Sequence, residues 1–145
     1  MKISTKGRYA LRFLLDLAEH KSDGFIALRD VAERQKISKK YLEQIIPVLN
    51  RSDVLNANRG YQGGYRLAKE PDKYTVGDIL RLTEGSIAPV SCLDYEPIQC
   101  ERCDDCITLP VWKGLNKVIC DYLDNITLQD ILDNSAEMIA NDYVI

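Results

Sequence analysis

Histidine is almost missing from this sequence: His20 is the only one in 145 residues. Sites built from several imidazoles are therefore excluded, and no acid–base histidine accompanies any candidate nucleophile. Long apolar runs are missing as well. No stretch approaches the ~20 apolar residues that a membrane span needs. The opening segment is broken by Lys6, Arg8, Arg12 and Asp16 and has no signal-peptide core. No internal repeat or low-complexity segment is present, and the glycine-rich run at residues 59–64 lacks the GxGxxG spacing of a dinucleotide loop. These absences point to a cytoplasmic protein. Thiols stay reduced there, so the five cysteines do not read as a disulfide framework.

What is present is ordinary in bulk: 46% hydrophobic and 28% charged residues, enough for a folded domain. The net charge of −3 hides a division. Residues 1–70 carry 14 Lys/Arg against 8 Asp/Glu, and residues 71–145 carry 5 against 14. A net of +6 in the first part suits a polyanionic partner, whereas −9 in the second does not.

Periodicity supplies the elements. Ser4 or Thr5 caps a first helix reaching about Lys21, with Ala10, Phe13, Leu14, Leu17 and Ala18 inward. A short second helix buries Leu28, Val31 and Ala32. Gln35-Lys36-Ile37 makes a tight turn, and Ser38 caps a third helix with Tyr41, Leu42, Ile45, Ile46 and Leu49 on its apolar side. Pro47 inside that helix predicts a kink or an irregular turn. Two β-like runs, Val54 to Asn58 and Tyr65 to Ala68, flank the glycine-rich tip. Thr75 with Asp78 opens a fourth helix that Gly85 ends. Thr108 caps a fifth helix, along which Val111, Trp112, Leu115, Val118, Ile119, Tyr122, Leu123 and Ile126 form one apolar face. Thr127 and Asp130 start a shorter sixth helix, and the last ~8 residues give no clear signal.

This order predicts a mainly α fold: a winged helix-turn-helix with a β-hairpin wing and a long C-terminal dimerisation helix. Residues 1–85 form the DNA-binding domain, 86–107 a cysteine-rich loop, and 108–145 the dimerisation and C-terminal helices. Such folds lay the third helix in the major groove of double-stranded DNA and the wing over an adjacent groove. Lys36, Lys39 and Lys40 cluster with Ser38 at the third helix's start, where its dipole also favours phosphate. Tyr41, Glu43 and Gln44 are placed to reach base edges. Arg59, next to Gly60 at the wing tip, has the length and charge for a minor groove.

Cys92, Cys100, Cys103 and Cys106 follow the spacing C-x7-C-x2-C-x2-C. Thiolates are soft ligands suited to iron–sulfur clusters and zinc. The tight triplet resembles cluster loops more than the paired knuckles of zinc ribbons. Cys120 stands apart on the polar side of the fifth helix as a free thiol, and His20 reads as a helix C-terminal residue. A redox enzyme using Cys103 and Cys106 would need a helix-start βαβ context that is missing.

The chain resembles the Rrf-two family of bacterial regulators over nearly its whole length. The resemblance rests on Lys2-Ile3-Ser4-Thr5-Lys6-Gly7-Arg8-Tyr9-Ala10, on Ile37-Ser38 with Tyr41-Leu42-Glu43-Gln44, on Arg59-Gly60 with Gly63-Gly64-Tyr65, and on Asn125-Ile126-Thr127-Leu128. Its cysteines are similar to those of the iron–sulfur (IscR) type, which holds a 2Fe–2S cluster. The resemblance implies ligands at Cys92, Cys100 and Cys106. The histidine that completes the site in that type is replaced by Leu109, and Arg8 stands where other relatives supply an acid. Cys103 is the natural substitute. The expectation is a homodimeric, non-enzymatic regulator, a repressor gated by an iron–sulfur cluster (2Fe–2S, with 4Fe–4S or zinc as alternatives) on a pseudo-palindromic operator. The competing readings are a cysteine-metabolism regulator of the same family controlled by a partner protein, and a zinc-stabilised regulator.

Overall fold

The computed structural model describes residues 1–142. Ser4 begins the fold: its hydroxyl accepts the Gly7 N–H at 3.1 Å and starts α1, Thr5–Glu19. The 3.6-residue spacing of Ala10, Phe13, Leu14 and Leu17 puts all four in the core. Val31 of α2 (Leu28–Gln35) and Leu42, Ile45 and Leu49 of α3 (Lys39–Arg51) close over them. Between α2 and α3 the chain turns at Lys36, which is left-handed at φ 53°, and buries Ile37.

α3 is helical on both sides of Pro47, so the irregular turn, one of the two outcomes expected there, does not form. Pro47 lies on the exposed face. The carbonyl that loses its partner one turn earlier belongs to the exposed residue Glu43, where water can satisfy it.

The wing is the antiparallel pair β1 (Leu55–Asn58) and β2 (Gly64–Leu67), with Leu55 opposite Leu67 and Asn58 opposite Gly64. Ile26, just ahead of α2, adds a third backbone segment through reciprocal bonds with Tyr65 at 2.9 and 2.8 Å. A methyl group at Gly64 would collide with the Ile26 carbonyl, so glycine is what allows this close approach.

α4 (Val76–Glu84) opens with the reciprocal Thr75–Asp78 capping box and ends at Gly85, φ 80°. Residues 86–107 form a loop, as expected, with a 3₁₀ turn at Ser91–Leu93 and hydrogen-bonded turns over 101–105. α5 spans Leu109–Asp124 and α6 Leu128–Asp142. α6 is therefore nearly as long as α5, not the short helix expected, and it runs through the first part of the tail that carried no sequence signal; residues 143–145 lie outside the described residues. Thr108 precedes α5, but its side chain does not cap it.

The C-terminal segment is knit to the first. Val76 N–H donates to the Ile126 carbonyl at 2.8 Å and Leu128 N–H to the Tyr74 carbonyl at 3.0 Å. Leu128 is fully buried in the core built on α1 and α3, which contributes about 1.5–3 kcal/mol. A second, smaller cluster of Val76, Leu80 and Ile87 receives Ile119, Cys120 and Leu123 from α5.

Candidate nucleic-acid interface and cysteine loop

The Ser38 hydroxyl accepts the Tyr41 N–H at 3.1 Å and caps α3, leaving Lys39 and Lys40 exposed on its first turn. Glu43 and Gln44 are exposed one turn on, and Lys39 Nζ lies 3.9 Å from the Glu43 carboxylate. Tyr41 is half-buried, its ring edge-on to Tyr9 at 5.4 Å. That packing commits one side of the ring to α1.

An open cleft of about 420 Å³ separates this helix from the wing. Lys39 and Glu43 line one wall, Asn58 and Gly60 the other, and Arg29 of α2 the end. The structure thus brings Lys39, Glu43 and Gly60 to one place, while Lys36, Lys40 and Gln44 lie on exposed surface outside it. Arg59 is exposed at the wing tip. Sequence reasoning missed Arg29 and Asn58. The only available signal for Arg29 was a cation in the first turn of α2, where the helix dipole disfavours it.

α2 is held by a buried carboxylate. Asp16, 1% exposed, accepts from Arg34 Nη2 at 2.7 Å, Arg34 Nε at 3.1 Å and Gln35 Nε2 at 2.9 Å. The bond to Asp16 raises the Arg34 pKa above its ordinary value. Arg12 reaches the same turn, donating to the Gln35 side chain and carbonyl and lying 5.2 Å over the Tyr9 ring. His20 Nδ1 sits 3.0 Å from the Asp16 carbonyl, at the end of α1 as expected.

The four loop cysteines are all half-buried free thiols. Cys92 and Cys100 line one open pocket with Tyr95 and Arg102. Cys103 N–H donates to the Cys100 carbonyl at 3.2 Å, so these two share a turn. Cys106 Sγ lies 3.4 Å from the Thr108 hydroxyl, and the Thr108 backbone is already helical (φ −92°, ψ −12°) instead of extended, so that hydroxyl does not cap α5. The Thr108 hydroxyl and nearby backbone N–H groups lower the Cys106 pKa; desolvation and the Asp104 carboxylate raise that of Cys103. Among the described residues, no three His, Cys, Asp or Glu side chains form a preformed metal cage. The donor chemistry, four soft thiols in 15 residues, fits an iron–sulfur cluster; the loop would have to close to deliver them.

Cys120 does not stand on the polar side of α5. It is a free, half-buried thiol beside Asn116 as expected, but it packs with Ile119 and Leu123 against Val76, Leu80 and Ile87, where the two-pronged Arg81–Asp124 bridge at 2.6 and 2.9 Å also joins α5 to α4. The expected single apolar face of α5 is divided. Ile119 and Leu123 pack on α4, while Val111, Leu115, Val118 and Tyr122 remain 42–66% exposed.

The family model described as Rrf2, iron-dependent transcriptional regulator, matches residues 3–134. The chain is 37% identical over 134 residues to the HTH-type transcriptional regulator IscR of Pectobacterium atrosepticum, covering 92% of this chain and 80% of that one. It is similar to the structure of T. potens IscR, with TM-score 0.75 and 40% identity over 95% of this chain and 90% of that one. It is also similar to CymR, the global cysteine regulator of B. subtilis, with TM-score 0.74 and 37% identity over 92% and 98% of the two chains.

Proposed function

The chain belongs to the Rrf2 family of transcription regulators, described as iron-dependent, and from that premise we propose that it is a cytoplasmic homodimeric repressor whose hold on DNA answers to a cluster on Cys92, Cys100, Cys103 and Cys106. The observation that supports this best is one chain joining two features: a cleft between recognition helix and wing, and a four-cysteine loop leading directly into α5.

α3 enters the major groove with Tyr41, Glu43 and Gln44 toward base edges. Lys36, Ser38, Lys39 and Lys40 meet phosphates. Arg59 and Gly60 enter the minor groove. Val111, Leu115, Val118 and Tyr122 recur at alternating four- and three-residue steps, the seam of a paired helix, and this exposed stripe pairs with its copy across a two-fold axis. The operator is then a pseudo-palindrome. When bound, an iron–sulfur cluster, 2Fe–2S on the resemblance, supplies a one-electron couple. Closing the loop on its thiolates fixes the segment that launches α5, and α5 sets the spacing of the two recognition helices. Leu109, buried at the first position of α5, seals the inner side of that segment.

A second reading has its own support. The likeness to the cysteine regulator CymR is as strong as that to IscR, and the four sulfurs form no cage as they stand. Control would then come from a partner protein. Anaerobic purification followed by a UV–visible spectrum, metal and sulfide quantitation, and operator binding before and after metal removal separates the readings. The cluster reading expects iron and sulfide in comparable amounts and a change in affinity on stripping. Zinc without visible absorption supports a structural metal. Metal-free protein with unchanged affinity supports the partner-controlled reading. On the DNA side, Lys39→Ala and Lys40→Ala should each shallow the salt slope by about one counterion, while Arg59→Ala relaxes sequence preference.

A further inference from the structure

The wing apex carries two features that a merely connecting turn would shed. Gly63 N–H donates to the Gly60 carbonyl at 2.9 Å, so Gly60–Gly63 is a β-turn with Tyr61 and Gln62 at its centre. Gln62 is left-handed, φ 66°, at the position where such turns take glycine to avoid a Cβ clash. Glycines stand at 60, 63 and 64, yet glutamine occupies the one site between them that favours glycine by its φ. Tyr61 is 97% exposed, the most exposed large apolar side chain among the described residues. The left-handed backbone at Gln62 costs stability, and both features are placed beside Arg59. An observed backbone outlier at a binding element points to use at that element.

We propose that Tyr61 and Gln62 are a second minor-groove reading element of this wing, acting beyond Arg59 on base pairs that flank the recognised half-site. The proposal rests on the DNA-binding reading above. Tyr61 and Gln62 border an open groove with His20 and Arg34, whereas Gly60 borders the cleft facing α3. The Tyr61–Gln62 pair therefore borders a different side of the wing from the one that Gly60 turns toward α3, and a wing tip entering a groove would carry both. The Tyr61 ring is rigid, flat and free on both faces, suited to stacking on deoxyribose. The Gln62 carboxamide carries two N–H donors, and the minor-groove edge of A·T offers only acceptors, adenine N3 and thymine O2. At G·C the exocyclic guanine amino group fills that edge and opposes the same approach. Because that amino group protrudes between the acceptors and holds the carboxamide N–H groups off them, Gln62 selects A·T at its contact position, while the Tyr61 ring holds the wing tip in place.

The test selects bound duplexes from a randomised pool with the full-length protein, then measures affinity for the preferred duplex and for copies in which flanking A·T pairs become G·C or inosine·C. Inosine lacks the minor-groove amino group. The wild type should bind the G·C copy roughly ten-fold more weakly and the inosine·C copy as the original. Gln62→Gly should keep or raise the melting temperature, lose about five-fold in affinity for the A·T duplex and flatten the A·T preference, the last being a readout that a loosened turn alone does not move. Tyr61→Ala should weaken binding to all three duplexes about equally with unchanged melting, because a ring stacked on sugar reads no base. Variants that select the same flanking sequences as the wild type, with the same affinity, overturn the proposal alone. A wild type that selects no sequence overturns it together with the DNA-binding reading.

Discussion

The Asp16 carboxylate on α1 and the Arg34 guanidinium on α2 meet in a two-pronged bridge, 2.7 and 3.1 Å, with the acid side chain wholly out of water. This pair decides where α2 sits, and α2 positions the turn that launches the recognition helix. Arg34→Met would leave a buried carboxylate with one hydrogen bond, from Gln35, and the His20 ring 3.7 Å away. We expect a loss of about 3 kcal/mol in urea unfolding, the low end for such a break because Arg34 is itself partly exposed. The double variant Asp16→Leu/Arg34→Met should recover most of that loss, since no buried charge remains. Equal stability of single and double variants would show that the arginine acts through packing alone.

The divided face of α5 separates assembly from folding. Val118 is 65% exposed within one subunit, whereas its neighbour Ile119 packs against the α4 cluster. Val118→Glu should therefore give a folded monomer by sedimentation, with normal circular dichroism and operator affinity down by a hundred-fold or more, as expected when about two half-sites no longer bind together. Ile119→Glu should instead lower the melting temperature. A Val118→Glu protein that still sediments as a dimer would place the interface elsewhere.

These two cases also mark what the sequence could disclose. Ser4, Thr75 with Asp78, and Thr127 with Asp130 act locally, so their caps were readable from spacing, and the structure forms each of them. The glycine-tipped wing was readable for the same reason. Ile26 pairing with Tyr65 was not, because one bridged residue has no period. Asp16 was counted as a charge interrupting an apolar segment; only the fold brings Arg34, 18 residues on, to pair with it. The eight apolar residues of α5 looked like one face because periodicity cannot say that two different surfaces share a helix. The cysteine spacing was plain, but spacing does not show where sulfurs point, and as folded Cys92 and Cys100 share a pocket while Cys106 faces Thr108.

Acid should loosen α5 from α4 through Asp124. Its hydrogen bonds to Arg81 hold its pKa below the ordinary 3.8. A depressed carboxylate pKa stabilises the fold above the unfolded value, and that stability is lost as pH falls through the folded value. The bridge is partly exposed and screened, so its contribution is under about 1 kcal/mol. The stability difference between wild type and Asp124→Asn should be constant from pH 7 to 5 and shrink toward zero as the pH is lowered below 3.8. A difference that persists undiminished at pH 2 would mean that Asp124 acts through shape rather than charge.

In the proposed cluster site the ligand set is where this chain would part from the resemblance, and Cys103 is the residue on which the difference turns. Leu109 stands where the resemblance would have a histidine; it is a buried hydrocarbon side chain at the start of α5 and cannot bind metal. Cys103 is three residues from both Cys100 and Cys106, and its N–H already bonds the Cys100 carbonyl at 3.2 Å. The same turn can deliver it without recruiting another element. Four thiolates make a site more negative than three with a neutral imidazole, which favours the oxidised state and lowers the reduction potential. With no imidazole ligand to titrate, the potential should stay flat between pH 6 and 8, about where histidine ionises. Anaerobic reconstitution of Cys103→Ala beside Cys92→Ala, Cys100→Ala and Cys106→Ala reads the assignment directly. All four should lose iron and visible absorption. If Cys103→Ala keeps wild-type iron content, spectrum and potential while the others lose them, the fourth position is filled from outside the loop and Cys103 is not a ligand.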